Sequence, residues 1–586
     1  MEITHEFDRD TVSELLKKRA AYAPRDIAYS FPEWDQHYTW SDMWENAAVL
    51  AKGFLRLGVK KGDRIALLMQ GRMEMILAMF GAACIGAIVV PLNAYSKKDE
   101  LQGYLDDSKP ELLIIGTEGH GHHYPTLVRE MIAESDKERP WIPAHVFVVG
   151  REEEAELPFL PFSDLYALAG QIREEEFVEV CAAVRCKDPL ILLYTSGTTG
   201  RPKGVLRSTS SFLVSDGGYA QQGKPAEWLT RLSDRIIRRF SLMNLLPLYH
   251  LGGFASIFTG LKACNIRIVL LSHFNPVSAL SAVERERCSI LSGTPFMIQH
   301  MLALPGREGY NLSSLLGVVF TSSAVNGSLL KNIIHDPQLK LVFFMVSYGS
   351  SEAGSVSNGV CFVNRRKNAA WSMLFRLLNY SNLLSGRIDP GEFEDGDCSL
   401  GGKVDRGVQV RIVNPETGAV LSCLERGEIQ IRSHRVMRYF KENQACCSFT
   451  EDGWYRSGDL GFLDNRGHLK ITARMKRIIS RGGEKICPVE IENVLMNHKD
   501  VSAAMVVGIP DELYGELVCA CVIGKKGANL TEERLRMEIT PHLSAFKIPR
   551  YFVFLDDLPL SPTGKLAVPA IQGLALERIG ELRKNA

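Results

Sequence analysis

The strongest constraint on the fold of this chain is a recurring pattern of short, largely apolar strand-like runs separated by amphipathic stretches of helical period. RIALLM (64–69), ELLIIG (111–116), AHVFVVG (144–150), PLILLY (189–194), IRIVLLS (266–272) and LKLVFFM (339–345) are the clearest runs. A strand that is apolar on both faces suits a parallel sheet covered by helices on each side, so the pattern predicts α/β layers. Ile76–Leu92 is apolar for 17 residues, just short of the roughly 18–20 that a membrane-spanning helix needs. Gly81, Gly86 and Pro91 punctuate it. We read a buried helix ending at Gly86 and turning into a buried parallel strand, with no transmembrane segment. No repeat of solenoid or propeller period is visible.

The texture changes late in the chain. From about Gly401 to Asp464, VQVRIVN, GEIQIRS and DGWYRSGDLGFLDNRGHLKIT read as short strands with hairpin-like turns at EDG and NRG. After Lys476 come a helix (PVEIENVLMNH, opened by Pro488), strands (VSAAMVVGI, LVCACVIG), a helix after Thr531 and a last loop, PLSPTGK. The expected fold is α/β. A large N-terminal body of layered α/β subdomains (residues 1–475) carries a β-rich subdomain at about 401–475, and a small α+β C-terminal domain spans 476–586. Asn364 to Asp397 stands apart: a basic opening (Arg365, Arg366, Lys367), then Trp371, Leu374, Phe375 and Leu378 at helical spacing, then IDPGEFEDGD. It reads as a surface helix packed on the body, or as a lid or peripheral lipid or protein contact through 365–384.

Composition excludes several classes. The 68 Lys+Arg balance 68 Asp+Glu, which argues against a nucleic-acid partner held by a basic surface and against a charged disordered chain. Thirteen scattered cysteines without a CxxC pair fit reduced thiols rather than a disulfide scaffold. MEITHEFDRD lacks an apolar signal core and LRKNA lacks a lipidation or retention signal, so a cytoplasmic location is expected. GHGHH (His120, His122, His123) lacks the further ligands and spacing of a metal site.

The chemistry concentrates in YTSGTTGRPKG (194–204), directly after an apolar strand. It is not a Walker loop, because counting from Gly197 that pattern needs glycine at 202, where Pro202 stands. The physics is still that of a phosphate cradle. Gly197, Gly200 and Gly204 let backbone N–H groups approach an anion; Thr195, Ser196, Thr198 and Thr199 offer hydroxyls, and Lys203 a positive charge.

This segment resembles the signature of the adenylate-forming superfamily of acyl- and aryl-CoA synthetases, peptide-synthetase adenylation domains and luciferases. PLYHLGG (247–253), YGSSE (348–352), YRSGDLG (455–461), ARMKRIISRGGEKICPVEIE (473–492) and PLSPTGK (559–565) are similar to further family motifs, in the family's order. The resemblance spans nearly the whole chain. It implies attack of a carboxylate on the α-phosphate of ATP, loss of pyrophosphate, then attack of a thiol on the acyl-adenylate with release of AMP. The cofactors implied are ATP, Mg²⁺ and CoA or a carrier-protein phosphopantetheine. Bringing one anion to another needs charge stabilisation. A unit charge at 4 Å is worth about 4 kcal/mol at an effective dielectric of 20, about a thousandfold in rate.

By resemblance, Lys565 supplies that charge between carboxylate and α-phosphate, Glu352 is the Mg²⁺ carboxylate, and His250 orients the acyl carboxylate or gates the thiol path. Tyr348 offers a face to adenine, beside Gly349, Ser350 and Ser351. Asp459 accepts from the ribose hydroxyls, Arg474 reaches ribose or phosphate, and Lys485 contacts phosphate. Lys476 is the hinge about which the C-terminal domain swings, and Gly483 lies on the thiol channel. Candidate acyl-pocket residues are Gly253, Phe254, Ser292, Gly293, Thr294, Ser323 and Ala324. Three departures concern the substrate side or the nucleotide edge: Ser351 replaces the usual Thr, Ala473 the usual Gly or Asp, and Ser322–Ser323 a usual Gly–Gly. YHLGGFAS has no acidic residue to pair an α-ammonium, which points to an acid without one. Alternatives are an enzyme that loads a carrier protein, and a non-catalytic relative that only binds nucleotide.

Overall fold

The computed structural model describes the chain outside residues 1–10, 120, 135–140, 142, 151–157, 196–202, 214–239, 263–265, 323–324, 326, 364–398, 441–447, 482–483, 512–513, 544, 561–565 and 586. Each apolar run above contains a strand. Arg64–Leu68, Leu112–Gly116, His145–Val149 and Pro189–Thr195 lie in an eight-stranded sheet, and Arg267–Leu270 and Phe343–Ser350 in a thirteen-stranded one. Their pairing is largely parallel, and the runs are buried, as strands covered on both faces require.

The Ile76–Leu92 stretch divides as read from sequence. Met73–Ile85 is a buried helix, and Ile88–Pro91 a buried strand parallel to Arg64–Leu68. Gly86 at φ 70° ends the helix, the left-handed conformation that glycine adopts without strain. Among the described residues no helix is long and apolar enough to cross a membrane.

Five parallel strands form the centre of the larger sheet, in the spatial order Arg267–Leu270, Ser241–Asn244, Ile290–Gly293, Gly317–Phe320 and Phe343–Ser350. Phe343–Ser350 then turns at residues 351–353 into Gly354–Phe362, which runs antiparallel to it. The late, hairpin-rich strands have their own apolar core around Val356, Ile429, Ile431 and Leu469. They do not make a separate sheet. Ser399–Val404, His468–Arg474, Tyr455–Leu463, Gly427–Arg432 and Gln409–Val413 extend the large sheet edge to edge. Arg438–Tyr439 crosses instead to the eight-stranded sheet and pairs with Lys203–Ser208. One segment thereby ties the two sheets together.

The third sheet uses residues from Ile479 onward, with the helix Pro488–Met496 and Glu532–Ile539 packed into its core. Thr531 caps the second of these, accepting from the Arg534 N–H at 3.3 Å. Two described hydrogen bonds join this unit to the body. Gln299 Nε2 donates to the Ser502 carbonyl at 2.6 Å, and the Cys487 thiol to the Thr472 carbonyl at 3.3 Å.

Candidate active site

Ligands of parallel α/β sheets bind beyond the carboxyl ends of the strands. At that edge of the central five strands lie Leu245–His250, Ser292–Thr294, Thr321–Ser322 and Tyr348–Glu352. The described candidates between His250 and Glu352, scattered along about a hundred residues of sequence, thus gather at one edge by topology.

The nucleotide candidates meet most closely. The Tyr348 hydroxyl donates to Asp459 Oδ2 at 2.8 Å, across 111 residues of sequence. Arg474 Nε stands 3.3 Å from Asp459 Oδ1, since Asp459 and Arg474 face each other in the hairpin register. The Ser457 hydroxyl accepts from the Asp459 N–H at 3.0 Å and holds the backbone. Burial, and secondly the Asp459 charge, push the Tyr348 phenol well above its ordinary pKa, so it stays a donor. Arg474 is 58% exposed and can turn toward a ligand.

Glu352 sits half-buried in the turn after Tyr348. Its backbone carbonyl accepts from the Met437 N–H at 2.8 Å, and three residues on the Phe440 N–H donates to the Gly204 carbonyl at 2.9 Å. The crossing segment therefore brings the Glu352 turn beside the strand that leaves the glycine-rich loop. Gly349 is required there, because a Cβ would lie 2.1 Å from the Gly354 carbonyl oxygen. Ser350 Oγ accepts from the Ala353 N–H at 3.0 Å, and the Ser351 carbonyl accepts from Arg207 at 3.0 Å. Among the described residues no group of three His, Cys, Asp or Glu could hold a metal by itself. One carboxylate at such an edge fits Mg²⁺ that arrives on substrate phosphates, the usual habit of that ion.

On the acyl side, His250 precedes the helix Leu251–Ile257, its ring 4.6 Å from that of Tyr249. Gly253 admits no side chain: a Cβ would fall 2.0 Å from the Pro247 carbonyl oxygen. Phe254 is fully buried, its ring 5.0 Å from Phe258 in the main core. Ser292 and Gly293 end their strand, and the Thr294 hydroxyl accepts from the Met297 N–H at 3.1 Å as a helix cap. Ser322 adopts φ 71°, a left-handed conformation that costs a non-glycine residue about 1–2 kcal/mol. Its Oγ lies against Gly252, 3.6 Å from where a Cβ would be.

Ser196, Gly197, Thr198, Thr199, Gly200, Ser323, Ala324, Gly483 and Lys565 lie outside the described residues, as do the 365–384 segment and the side chains of Thr195, Lys476 and Lys485. Thr195 and Lys203 pair across the hairpin that bears the glycine-rich loop, and Lys476 belongs to a short 3-10 turn, Met475–Arg477. Sequence reading missed Arg207, Arg435 and Asp405, which are close to this edge. The available signal was an arginine on the same strand face as Val205, a buried position.

Residues 16–440 match the family of AMP-binding enzymes, and residues 490–565 match the AMP-binding enzyme C-terminal domain. YngI of Bacillus subtilis (strain 168), provisionally named an acyl-CoA synthetase, is 29% identical over 582 residues, covering 96% of each chain. The mitochondrial medium-chain acyl-CoA ligase ACSF2 of Mus musculus is 29% identical over 569 residues, covering 95% of this chain and 86% of its own. A solved anthranilate CoA ligase, AuaEII with anthranoyl-AMP, shares the fold at TM-score 0.77 and 21% identity, covering 98% of this chain and 99% of its own. The chain belongs to the AMP-binding enzyme family, the adenylate-forming superfamily that includes the acyl-CoA synthetases.

Proposed function

We propose that this enzyme, of the AMP-forming acid–CoA ligase type, joins a carboxylic acid lacking an α-amino group to CoA through an acyl-adenylate. The observation that carries the reading is the convergence of Tyr348, Asp459 and Arg474 with the Glu352 turn, beside the exit of the glycine-rich loop. Asp459 is a fixed two-oxygen acceptor for ribose hydroxyls, Arg474 an adjustable cation, and Glu352 the carboxylate toward which a phosphate-bound Mg²⁺ would be drawn. Mg²⁺ would neutralise phosphate charge; His250 lies at the acyl edge, where the carboxylate would approach.

A medium-length fatty acid is the first substrate class to test, because ACSF2 is named for such acids and the His250 segment offers no acidic partner. The location proposed is cytoplasmic, with the mitochondrial name of ACSF2 making cell fractionation the check. The test of function is carboxylate-dependent ATP–pyrophosphate exchange over a broad acid panel, followed by thioester formation with free CoA or a phosphopantetheine-bearing carrier protein. Exchange with a fatty acid and transfer to CoA is expected. Transfer to the carrier alone would replace CoA as acceptor, and no exchange with any acid would leave a nucleotide-binding relative.

We further propose two working units, residues 1–475 and 476–586, with Lys476 as pivot, and Lys565 serving adenylation only. In Lys565→Ala, adenylation should fall on the order of a thousandfold, as one unit charge at contact distance predicts. Thioester formation from preformed acyl-adenylate and CoA should stay near wild type. Equal loss in both steps would refute the two-state account.

A further inference from the structure

Arg207 lies only 3% exposed on the strand that leaves the glycine-rich loop, and the proposed reaction gives it no role. Its Nη1 donates to the Ser351 carbonyl at 3.0 Å, one residue before Glu352. Gly354, at φ 73°, closes the same turn, and a Cβ there would sit 2.6 Å from Nη2. The turn is shaped around the guanidinium. Burial, and secondly the nearby Arg435, lower the Arg207 pKa to about 10, while the Glu352 charge works in the opposite direction. Arg435 is held by Asp405 at 2.7 Å and by the Ser355 carbonyl at 3.1 Å. Asp405 also accepts from Ser355 at 2.9 Å and Asn358 at 2.9 Å. Arg435 thus has a carboxylate partner in Asp405, while Arg207 reaches the backbone of the turn that carries Glu352.

We propose that Arg207 is a positioning residue: it ties the exit strand of the phosphate loop to the turn bearing Glu352 and so aims that carboxylate at the metal on the bound phosphates. The inference rests on the reading of Glu352 as the metal-binding carboxylate. Glutamine at position 207 would remove the charge and shorten the reach to the Ser351 carbonyl. Lysine would keep the charge and lose the planar fork.

The test uses the full chain with Arg207→Gln, Arg207→Lys and Glu352→Gln. Mg²⁺ half-saturation and acid KM are read in ATP–pyrophosphate exchange, and Mn²⁺·ATP binding is read without turnover by calorimetry. Arg207→Gln should raise the Mg²⁺ half-saturation and the Mn²⁺·ATP dissociation constant at least tenfold, with the acid KM within twofold. Arg207→Lys should fall between Arg207→Gln and wild type. If Glu352→Gln shifts metal dependence and both folded Arg207 variants stay within twofold of wild type, the inference is overturned while the reading of Glu352 stands. If Glu352→Gln itself leaves metal dependence unchanged, that reading falls and takes the inference with it. Should Arg207→Gln lack a cooperative melt, Arg207→Lys decides: an unchanged metal half-saturation overturns the proposal.

Discussion

Tyr348→Phe isolates one hydrogen bond of the proposed nucleotide site. Phenylalanine keeps the ring face, so any loss comes from the hydroxyl that donates to Asp459 at 2.8 Å. A hydrogen bond to a charged group contributes about 1.5–3 kcal/mol. Asp459 would retain Arg474 at 3.3 Å, and although that guanidinium is 58% exposed, the pair still contributes about 0–1 kcal/mol that offsets part of the loss. The lower end, about 1.5 kcal/mol, is therefore expected, close to a tenfold rise in the KM for ATP. Asp459→Ala should cost more, and adding Tyr348→Phe to it should cost little further, because the hydroxyl acts through the carboxylate. The assay is ATP–pyrophosphate exchange at saturating acid, with thermal midpoints measured alongside. An ATP KM within twofold of wild type in Tyr348→Phe, or strictly additive losses in the double variant, would refute the reasoning.

Two further outcomes follow from the geometry. Gly253→Ala would force the Pro247 carbonyl, 2.0 Å from the new Cβ, to move with His250; overpacking of this kind costs about 1–3 kcal/mol. A lowered thermal midpoint and a raised acid KM are expected, and an unchanged midpoint would contradict the close approach. Burial is also the first cause that pushes the pKa values of Tyr29, Tyr124, Tyr194, Tyr249 and Tyr348 upward. The folded state holds these protons more tightly than the unfolded state, whose tyrosines titrate near 10. Their contribution is fully present below about pH 10 and is lost as pH rises above it, by about 1.4 kcal/mol per pH unit for each. Thermal midpoints from pH 8 to 11 should therefore be insensitive to these groups up to about 10 and fall beyond, with a flat profile to pH 11 as the refuting result.

Much was legible along the chain because it is local. Apolar runs on both strand faces marked the parallel strands, and Gly86 marked the break between helix and strand. The ordered motifs marked the family, since each is a contiguous segment whose residue types serve one chemical task. Tertiary structure decided which of those segments meet. Tyr348 and Asp459 are 111 residues apart, and neither segment alone specifies the hairpin register that sets Asp459 opposite Arg474. The late strands extend the main sheet because Ser399–Val404 pairs with Gly354–Phe362, a choice of partner that strand periodicity does not encode. Arg207 is likewise an ordinary strand residue in sequence. It becomes a buried cation beneath the Glu352 turn because Arg438–Tyr439 bridges two sheets, bringing that strand under the turn.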